Sequence, residues 1–306
     1  MKFAVLASHR DEPDCTHWTG IAHGLKNLGI EHIALDCRLQ QKEEILRTLR
    51  ESKPDFILYA LSDPLYNGWY KDIRQQNDCP IAFWYCDMRD ERTGGYWDMN
   101  IDRYVDYVFL SNSGQIDFYK THTGVENVHF IPQAVIPVDT IIQNPDFAYP
   151  TVFIGSMHTT DFWGRRYNFI GEIMNRIPGA KHMNGTDKDA RMEVYRSMPT
   201  VYGSAHTVLD ISHVWDVEKY ASNRYYVIPG MGGLSITKRF PGCEEQYPEG
   251  TKVYFDTADE AIEKINYYIN HKDEATVIKE AALAHCKKHH TYKHRFRQMI
   301  DIVGLK

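Results

Sequence analysis

Short apolar segments of strand length alternate with helical segments along this chain, and the alternation occurs in two series. In the first series the predicted strands cover 2–7, 33–35, 56–61, 81–85, 105–110 and 128–131. After the first strand, Ile21, Leu25 and Leu28 recur at helical spacing, and Gly29 follows as a stop signal. Strands that are separated by helices pair in parallel, so this series predicts a doubly wound α/β sheet.

A polar stretch with four prolines, from about residue 132 to residue 150, separates the two series, and we interpret it as a domain linker. The second series has predicted strands at 151–154, 207–211, 234–237 and 252–255, with helices near 165–177, 189–197 and 223–229. It repeats the pattern of the first series. We therefore expect an N-terminal domain over 1–140, a second α/β domain over 148–285, and a C-terminal helix within 286–306 that returns to the first domain.

Length and composition agree with two globular domains of ordinary size. The chain has 306 residues, of which 43% are hydrophobic and 25% charged. Its longest apolar runs, near 56–61 and 80–85, are shorter than the ~20 residues that a membrane helix needs. The sequence leads from Met1 directly into a strand and then into a charged stretch, which does not fit a signal peptide. We expect a cytoplasmic protein without a membrane span.

Cysteine spacing and net charge disfavour two classes of protein. The six cysteines form no C-x-x-C pair, which indicates reduced thiols rather than a disulfide framework or a zinc ribbon. The formal net charge of -6 disfavours broad nonspecific binding to a polyanion, although a local basic patch remains compatible with it.

Several segments between 208 and 299 have a recognisable order and spacing. They are LDISH at 209–213, SNRYY at 222–226 leading to a Gly-Gly-Leu at 232–234, GTKVYF at 250–255, and HTY at 290–292 followed by Arg295. In this arrangement the chain resembles the CgeB-like glycosyltransferases, which are related to the GT-B group. Weaker similarity extends to FWYCD at 83–87 and FIGS at 153–156.

This resemblance implies the GT-B architecture, with two Rossmann-like doubly wound domains that face a cleft. It also implies transfer of a sugar from a nucleotide-diphosphate sugar, bound as a cosubstrate, with no permanently bound cofactor. One position departs from the family: many relatives carry a glutamate where this chain has Val227. Glu244 and Glu245 are the alternatives for a carboxylate that binds donor hydroxyls.

Candidate donor-binding residues follow the strands of the second domain. Gly155 and Ser156 come directly after a strand and precede a helical stretch with Arg165 and Arg166, so backbone N–H groups and a guanidinium could meet a phosphate there. The alternative is an ordinary strand-to-helix turn with surface arginines. His213 follows another strand end, where it either contacts the donor or merely ends the strand.

Arg224 opens a helix inside the best-matched segment, and Gly232 and Gly233 follow it. Glycines allow a backbone to approach a ligand closely, so we expect all three residues to bind the donor. The structural alternative is a helix C-cap at the glycines and an arginine that pairs on the surface.

For the catalytic base we select Asp87, which directly follows the apolar strand at 81–85. An inverting glycosyltransferase needs such a base to activate the acceptor hydroxyl. Asp14 and His17, in the polar sequence after the first strand, are second candidates. A helix-capping role is the alternative for Asp87.

No metal site is predicted. The acid pair at Asp187 and Asp189 is better explained as a helix cap, and His289 and His290 lack partners at zinc spacing. The leading hypothesis is therefore metal-independent glycosyl transfer to a hydroxyl of a small molecule, glycan, protein or hydroxymethylated DNA base. The alternatives are a sugar-nucleotide epimerase or hydrolase and a noncatalytic nucleotide-sugar-binding protein.

Overall fold

A computed structural model of the protein describes residues 1–7, 17–60, 67–88, 102–157, 161–184 and 188–306. The chain divides into two compact units. The first unit combines most of the described residues up to Gln133 with Tyr292–Lys306, and the second contains Ala134–Thr291. Each unit is built on its own parallel sheet.

The first unit has a six-stranded sheet in the order β2-β1-β3-β4-β5-β6, with every pairing parallel. Its strands are β1 (Lys2–Ala7), β2 (Glu31–Asp36), β3 (Phe56–Ala60), β4 (Ile81–Tyr85), β5 (Tyr107–Leu110) and β6 (Val128–Phe130). Four helices alternate with them: α1 (His17–Lys26), α2 (Lys42–Ser52), α3 (Asn67–Gln75) and α4 (Ile116–Thr123). All residues of β3 and β4 are buried, as expected where helices cover both faces of a parallel sheet.

The last helix of the chain, α11 (Tyr292–Val303), packs within this first unit. The ring of Phe296 lies 6.3 Å from the ring of Phe3 and 6.3 Å from that of Trp84. Arg295 is 2% exposed, and its Nε donates to the carbonyls of Pro132 and Gln133, both at 3.0 Å. These carbonyls explain how a charged side chain is tolerated in the core.

The second unit has a five-stranded parallel sheet in the order β11-β10-β9-β7-β8. Its strands are β7 (Thr151–Ile154), β8 (Lys181–Met183), β9 (Thr207–Asp210), β10 (Ser235–Lys238) and β11 (Val253–Phe255). The helices are α5 (Asp161–Met174), α6 (Lys188–Ser204), α7 (Arg224–Gly230), α8 (Cys243–Gln246), α9 (Ala258–Asn270) and α10 (Lys272–His289).

A buried polar cluster connects β9, β10 and the residue before β11 in the second sheet. The ammonium of Lys252 lies 3.5 Å from the Asp210 carboxylate, and both side chains are almost fully buried. Ser235 and Thr237 donate to the same carboxylate oxygen, at 3.3 and 3.2 Å. The Lys252 ammonium also lies 3.9 Å from the ring centroid of Tyr225. Pairing, hydrogen bonding and a cation–π contact together offset the cost of burying these charges.

The two parallel, helix-flanked sheets confirm the predicted fold class. The principal differences are additional elements that the sequence patterns do not predict, namely β8 and the helices α3, α4 and α8. Among the described residues, no helix combines the length and the apolar character that crossing a membrane requires.

Candidate functional site

Polar residues gather at the carboxyl ends of the adjacent strands β7 and β9. Gly155 and Ser156 follow β7, while Ser212 and His213 lie just beyond β9. The Gly155 N–H donates to the Met183 carbonyl at 3.2 Å, which ties the β7 loop to the end of β8. In parallel α/β sheets this edge is where ligands bind, because loops and helix starts converge there.

Arg224, the first residue of α7, reaches back to this edge. Its Nη2 donates to the Ile211 carbonyl at 3.1 Å, and its guanidinium carbon lies 5.2 Å from the ring centroid of Phe153. Its Nη1 is 2.9 Å from the position that a Cβ on Gly155 would occupy. Gly155 therefore leaves the space in which the guanidinium lies.

The Arg224 guanidinium has unused capacity for binding an anion. Its Nε is buried and has no hydrogen-bond partner in the described part of the chain. None of the ion pairs formed by the described residues includes Arg224. A guanidinium carries five N–H donors, so one backbone carbonyl leaves most of them available.

A second guanidinium lies beside the first. Arg166, on α5, is 6% exposed and donates through Nη2 to the Ser156 carbonyl. Burial and, secondarily, the positive charge of Arg224 lower the pKa of Arg166 to about 10. Two neighbouring like charges repel each other, and an anion bound between them would offset that repulsion.

Tyr220 connects His213 to this arginine pair. The Tyr220 hydroxyl is within 3.0 Å of the His213 ring, and its side chain is fully buried. Tyr220 also acts electrostatically on Arg166, raising its pKa against the larger effect of burial. The contact orients the imidazole at the end of β9.

A cavity of about 440 Å³ lies between α5 and β8, and another of about 540 Å³ is formed by the loops after β9, β10 and β11. The larger cavity is lined by Trp215, Arg239, Gly242, Glu244, Glu245 and Asp256, among others. Glu245 pairs with Lys219 at 2.6 Å, and Arg239 pairs with Glu244 and Asp256. This cavity combines two aromatic side chains, Trp215 and Phe240, with three carboxylates at the carboxyl edge of the sheet.

The adjacent arginines of α5 have different partners. Arg165 is exposed, lies 4.2 Å from the ring centroid of Trp215 and pairs with Asp216 at 3.7 Å. Its neighbour Arg166 is the one that bonds Ser156. The reason is the helix itself, because successive residues point about 100° apart around its axis.

Gly232 and Gly233 lie at the other edge of the sheet, in the turn between α7 and β10. A Cβ on Gly232 would meet Ile141 at 2.7 Å, and one on Gly233 would meet Ile228 at 2.8 Å. Close packing against these side chains, and a φ of 79° at Gly232, account for both glycines. Val227 is 3% exposed in the same hydrophobic core, so no hydroxyl ligand is expected at that position.

In the first unit, Asp87 follows β4 and its side chain is exposed. The preceding Cys86 carbonyl accepts a hydrogen bond from Gln133, which fixes the end of the strand. His17 is the first residue of α1, and burial lowers its pKa to about 4, so its imidazole is neutral at pH 7. Asp14 lies outside the described residues.

Across the described ranges, no three histidine, cysteine, aspartate or glutamate side chains are grouped so that they could hold a metal ion. His290 is buried, and its Nε2 lies 2.8 Å from the Gln246 carbonyl. Asp187 lies outside the described residues, and Asp189 is in the first turn of α6.

Comparison with known proteins gives a family match and several similar folds. Residues 157–301 match a family described as glycosyl transferase-like. The Anabaena protein HepE, solved in complex with UDP and glucose, is 11% identical over 99% of both chains, with a TM-score of 0.66. An alpha-glucosyltransferase in complex with UDP and a mismatched 13-mer DNA is also 11% identical, over 99% of this chain and 100% of that one, with a TM-score of 0.69.

Sucrose-phosphate synthase from Thermosynechococcus elongatus has a TM-score of 0.62 at 12% identity, over 98% of both chains. Because these sequence identities are low, the structural comparisons support the fold alone. No curated protein sequence is significantly similar to this chain.

Proposed function

Since this chain is a nucleotide-sugar glycosyltransferase with the GT-B fold, we propose that Arg224 and Arg166 bind the diphosphate of a uridine-diphosphate sugar. The observation that carries this proposal is the pair of guanidinium groups at the carboxyl ends of β7 and β9. Arg224 has a buried Nε without a partner in the described residues, and its charge lowers the pKa of Arg166. A bound diphosphate would accept a hydrogen bond from this Nε and would offset the repulsion between the two guanidinium groups.

The chemistry of sugar transfer explains why positive charge belongs at this place. As the bond between the anomeric carbon and the diphosphate breaks, negative charge develops on the leaving oxygen. Preorganised cationic donors stabilise this charge more in the transition state than in the bound substrate, which accelerates the reaction. Arg224 and Arg166 supply that charge in our proposal, and His213 adds a polar contact at the same edge.

We assign the nucleoside of the donor to the cavity of about 540 Å³ at the same sheet edge. Carboxylates accept hydrogen bonds from the ribose hydroxyls, and Glu244, Glu245 and Asp256 line the cavity. Each of the three is already in an ion pair, but a carboxylate has about four lone-pair sites and can accept a further bond. Trp215 supplies an aromatic face, one side of which is covered by Arg165. Uridine is the proposed base because HepE and the alpha-glucosyltransferase were solved with UDP.

On the acceptor side we propose Asp87 as the base that takes the proton from an acceptor hydroxyl, provided that the reaction inverts the anomeric centre. Its exposed carboxylate at the end of β4 supports this role. Asp14 and His17 remain second candidates. An Asp87→Asn variant that turns over at the wild-type rate would remove the assignment without affecting the donor site.

The order and spacing of the segments around 209–213 and 222–226 also support the narrower proposal of a CgeB-like enzyme. An activity screen with candidate hydroxyl compounds would identify the class of acceptor. We expect a hydroxyl compound, and the net charge of -6 makes DNA the less favourable choice.

Calorimetric titration with UDP, GDP and ADP tests the donor assignment. We expect UDP to bind most tightly, and the Arg224→Ala variant to weaken UDP binding by about 10- to 100-fold, the usual range for losing a hydrogen bond to a charged group. Arg176→Ala is the matched control, because Arg176 is half exposed and pairs with Asp259 on the protein surface. Equal affinities of the two variants would exclude Arg224 from the site.

A further inference from the structure

A cavity of about 310 Å³ lies at the amino edge of the second sheet, opposite the strand ends where Gly155 and the Arg224 guanidinium lie. Its position follows from His206, which immediately precedes β9, and from Asn144, which precedes β7. The rest of its lining includes Gln143, Ser204, Tyr268, Lys272, Thr276 and Lys279. None of these residues takes part in the donor site described above.

The lining of this cavity is basic. Lys272 and Thr276 belong to the first turns of α10, and Lys279 follows one turn later on the same helix. The positive charges of Lys272 and Lys279 both lower the pKa of His206, after the larger effect of burial. No acidic side chain is among the lining residues of the described chain.

Lys279 is the feature that an ordinary structural role does not fully explain. It is 7% exposed, and its ammonium donates to the carbonyls of Gly203 and Ala205, at 3.1 and 2.8 Å. These two bonds cap the carboxyl end of α6. These bonds do not use the third N–H of the ammonium. Its positive charge has no counterion among the described carboxylates, and burial lowers the pKa of Lys279 to about 8.

One carboxylate of α10 is engaged outside the cavity lining. Glu274, in the first turn of α10, accepts the hydroxyl of Tyr267 at 3.0 Å and acts electrostatically on Tyr268. Lys272 forms no ion pair with any described residue. A buried ammonium, a nearby exposed ammonium and an imidazole therefore face one small cavity. A doubly negative group is the ligand that this arrangement favours.

We propose that this cavity is a second ligand site that binds a phosphomonoester of small-molecule size, with the phosphate between Lys279, Lys272 and His206. The Ser204 hydroxyl accepts from the Asn144 N–H at 2.7 Å and retains its own proton to donate to a phosphate oxygen. The volume of about 310 Å³ accommodates a group of sugar size beside the phosphate. Because it lies at the opposite sheet edge, this site does not depend on the donor assignment.

The test is a titration of the UDP-saturated full-length protein with inorganic phosphate and with glucose 6-phosphate, in a phosphate-free buffer, with glucose as the uncharged comparison. Saturation with UDP removes the donor site as a place for phosphate to bind. We expect both phosphates, but not glucose, to bind the wild-type protein. Failure of phosphate and glucose 6-phosphate to bind the saturated protein would overturn the proposal.

Variants then locate the binding. Lys272→Gln and His206→Gln should each weaken glucose 6-phosphate binding about tenfold, as expected for losing one charge-assisted contact. Lys288→Gln, an exposed lysine at the other end of α10, is the matched control and should bind as the wild type does. UDP affinity should be unchanged in all three. Equal weakening in Lys288→Gln would indicate nonspecific attraction and contradict the proposed site.

Discussion

At the scale of single residues, the absence of a side chain at Gly155 leaves room for the Arg224 guanidinium. We expect Gly155→Ala to weaken UDP binding about tenfold or more, because the new methyl group would lie 2.9 Å from Nη1 of Arg224 and displace it. Calorimetric titration with UDP measures this effect. Circular dichroism should show an intact fold, since Gly155 is only partly buried.

The control for this prediction is Gly171→Ala on α5, where an added Cβ meets no atom within 4 Å. Alanine in a helix is more favourable than glycine by roughly 0.5–1 kcal/mol, so this variant should be slightly more stable than the wild type and bind UDP equally well. If Gly155→Ala also kept wild-type affinity, the contact between Gly155 and Arg224 would have no role in binding.

Some of these site residues can be predicted from the sequence, and others cannot. Gly155 and Arg224 can be selected because one follows a predicted strand and the other opens a predicted helix. Whether Arg165 or Arg166 faces the strand ends depends on the rotation of α5, and uncertainty of one residue in a helix boundary changes the answer. Tyr220 carries no sequence signal, because its role depends on contacts with His213 and Arg166 that only folding creates.

At the scale of elements, Lys279 links α10 to the carboxyl end of α6, and its burial makes this link depend on pH. The pKa of Lys279 is about 8 in the folded chain, whereas the pKa of a lysine in an unfolded chain is about 10.4. Between these values the unfolded chain retains the proton and the folded chain does not. The free energy of unfolding should therefore rise with pH, by about 1.4 kcal/mol per pH unit from this group.

Urea unfolding of the wild type and of Lys279→Met, at about pH 8 and about pH 10, isolates this contribution. Other groups, such as buried tyrosines and thiols, titrate equally in both proteins and cancel in the difference. We expect the wild type to gain stability relative to the variant as the pH rises. A difference that stays constant over this range would contradict the lowered pKa.

The strands themselves are largely predictable from sequence, and the exceptions have a physical cause. The predicted segments at 2–7, 81–85 and 151–154 coincide with β1, β4 and β7, because strands buried on both faces are continuous apolar runs. The edge strand β8 contains the exposed residues Lys181 and His182 and therefore shows no such run. The α3 segment has buried residues at Tyr70 and Ile73, a pattern too short to stand out beside its polar neighbours.

At the scale of the whole molecule, the last helix belongs to the first unit, whereas the proposed donor-binding residues belong to the second. Phe296→Ala tests this separation. Phe296 is fully buried in α11, against Phe3 and Trp84, and truncating such a side chain typically costs about 3–5 kcal/mol. We expect a lower unfolding midpoint in urea, together with a UDP affinity within about twofold of the wild type under conditions where the variant remains folded, since Arg224 and Arg166 belong to the second compact unit and α11 to the first. A parallel loss of UDP affinity in the folded variant would show that donor binding depends on the first unit and would contradict the assignment of the diphosphate site to the second unit alone.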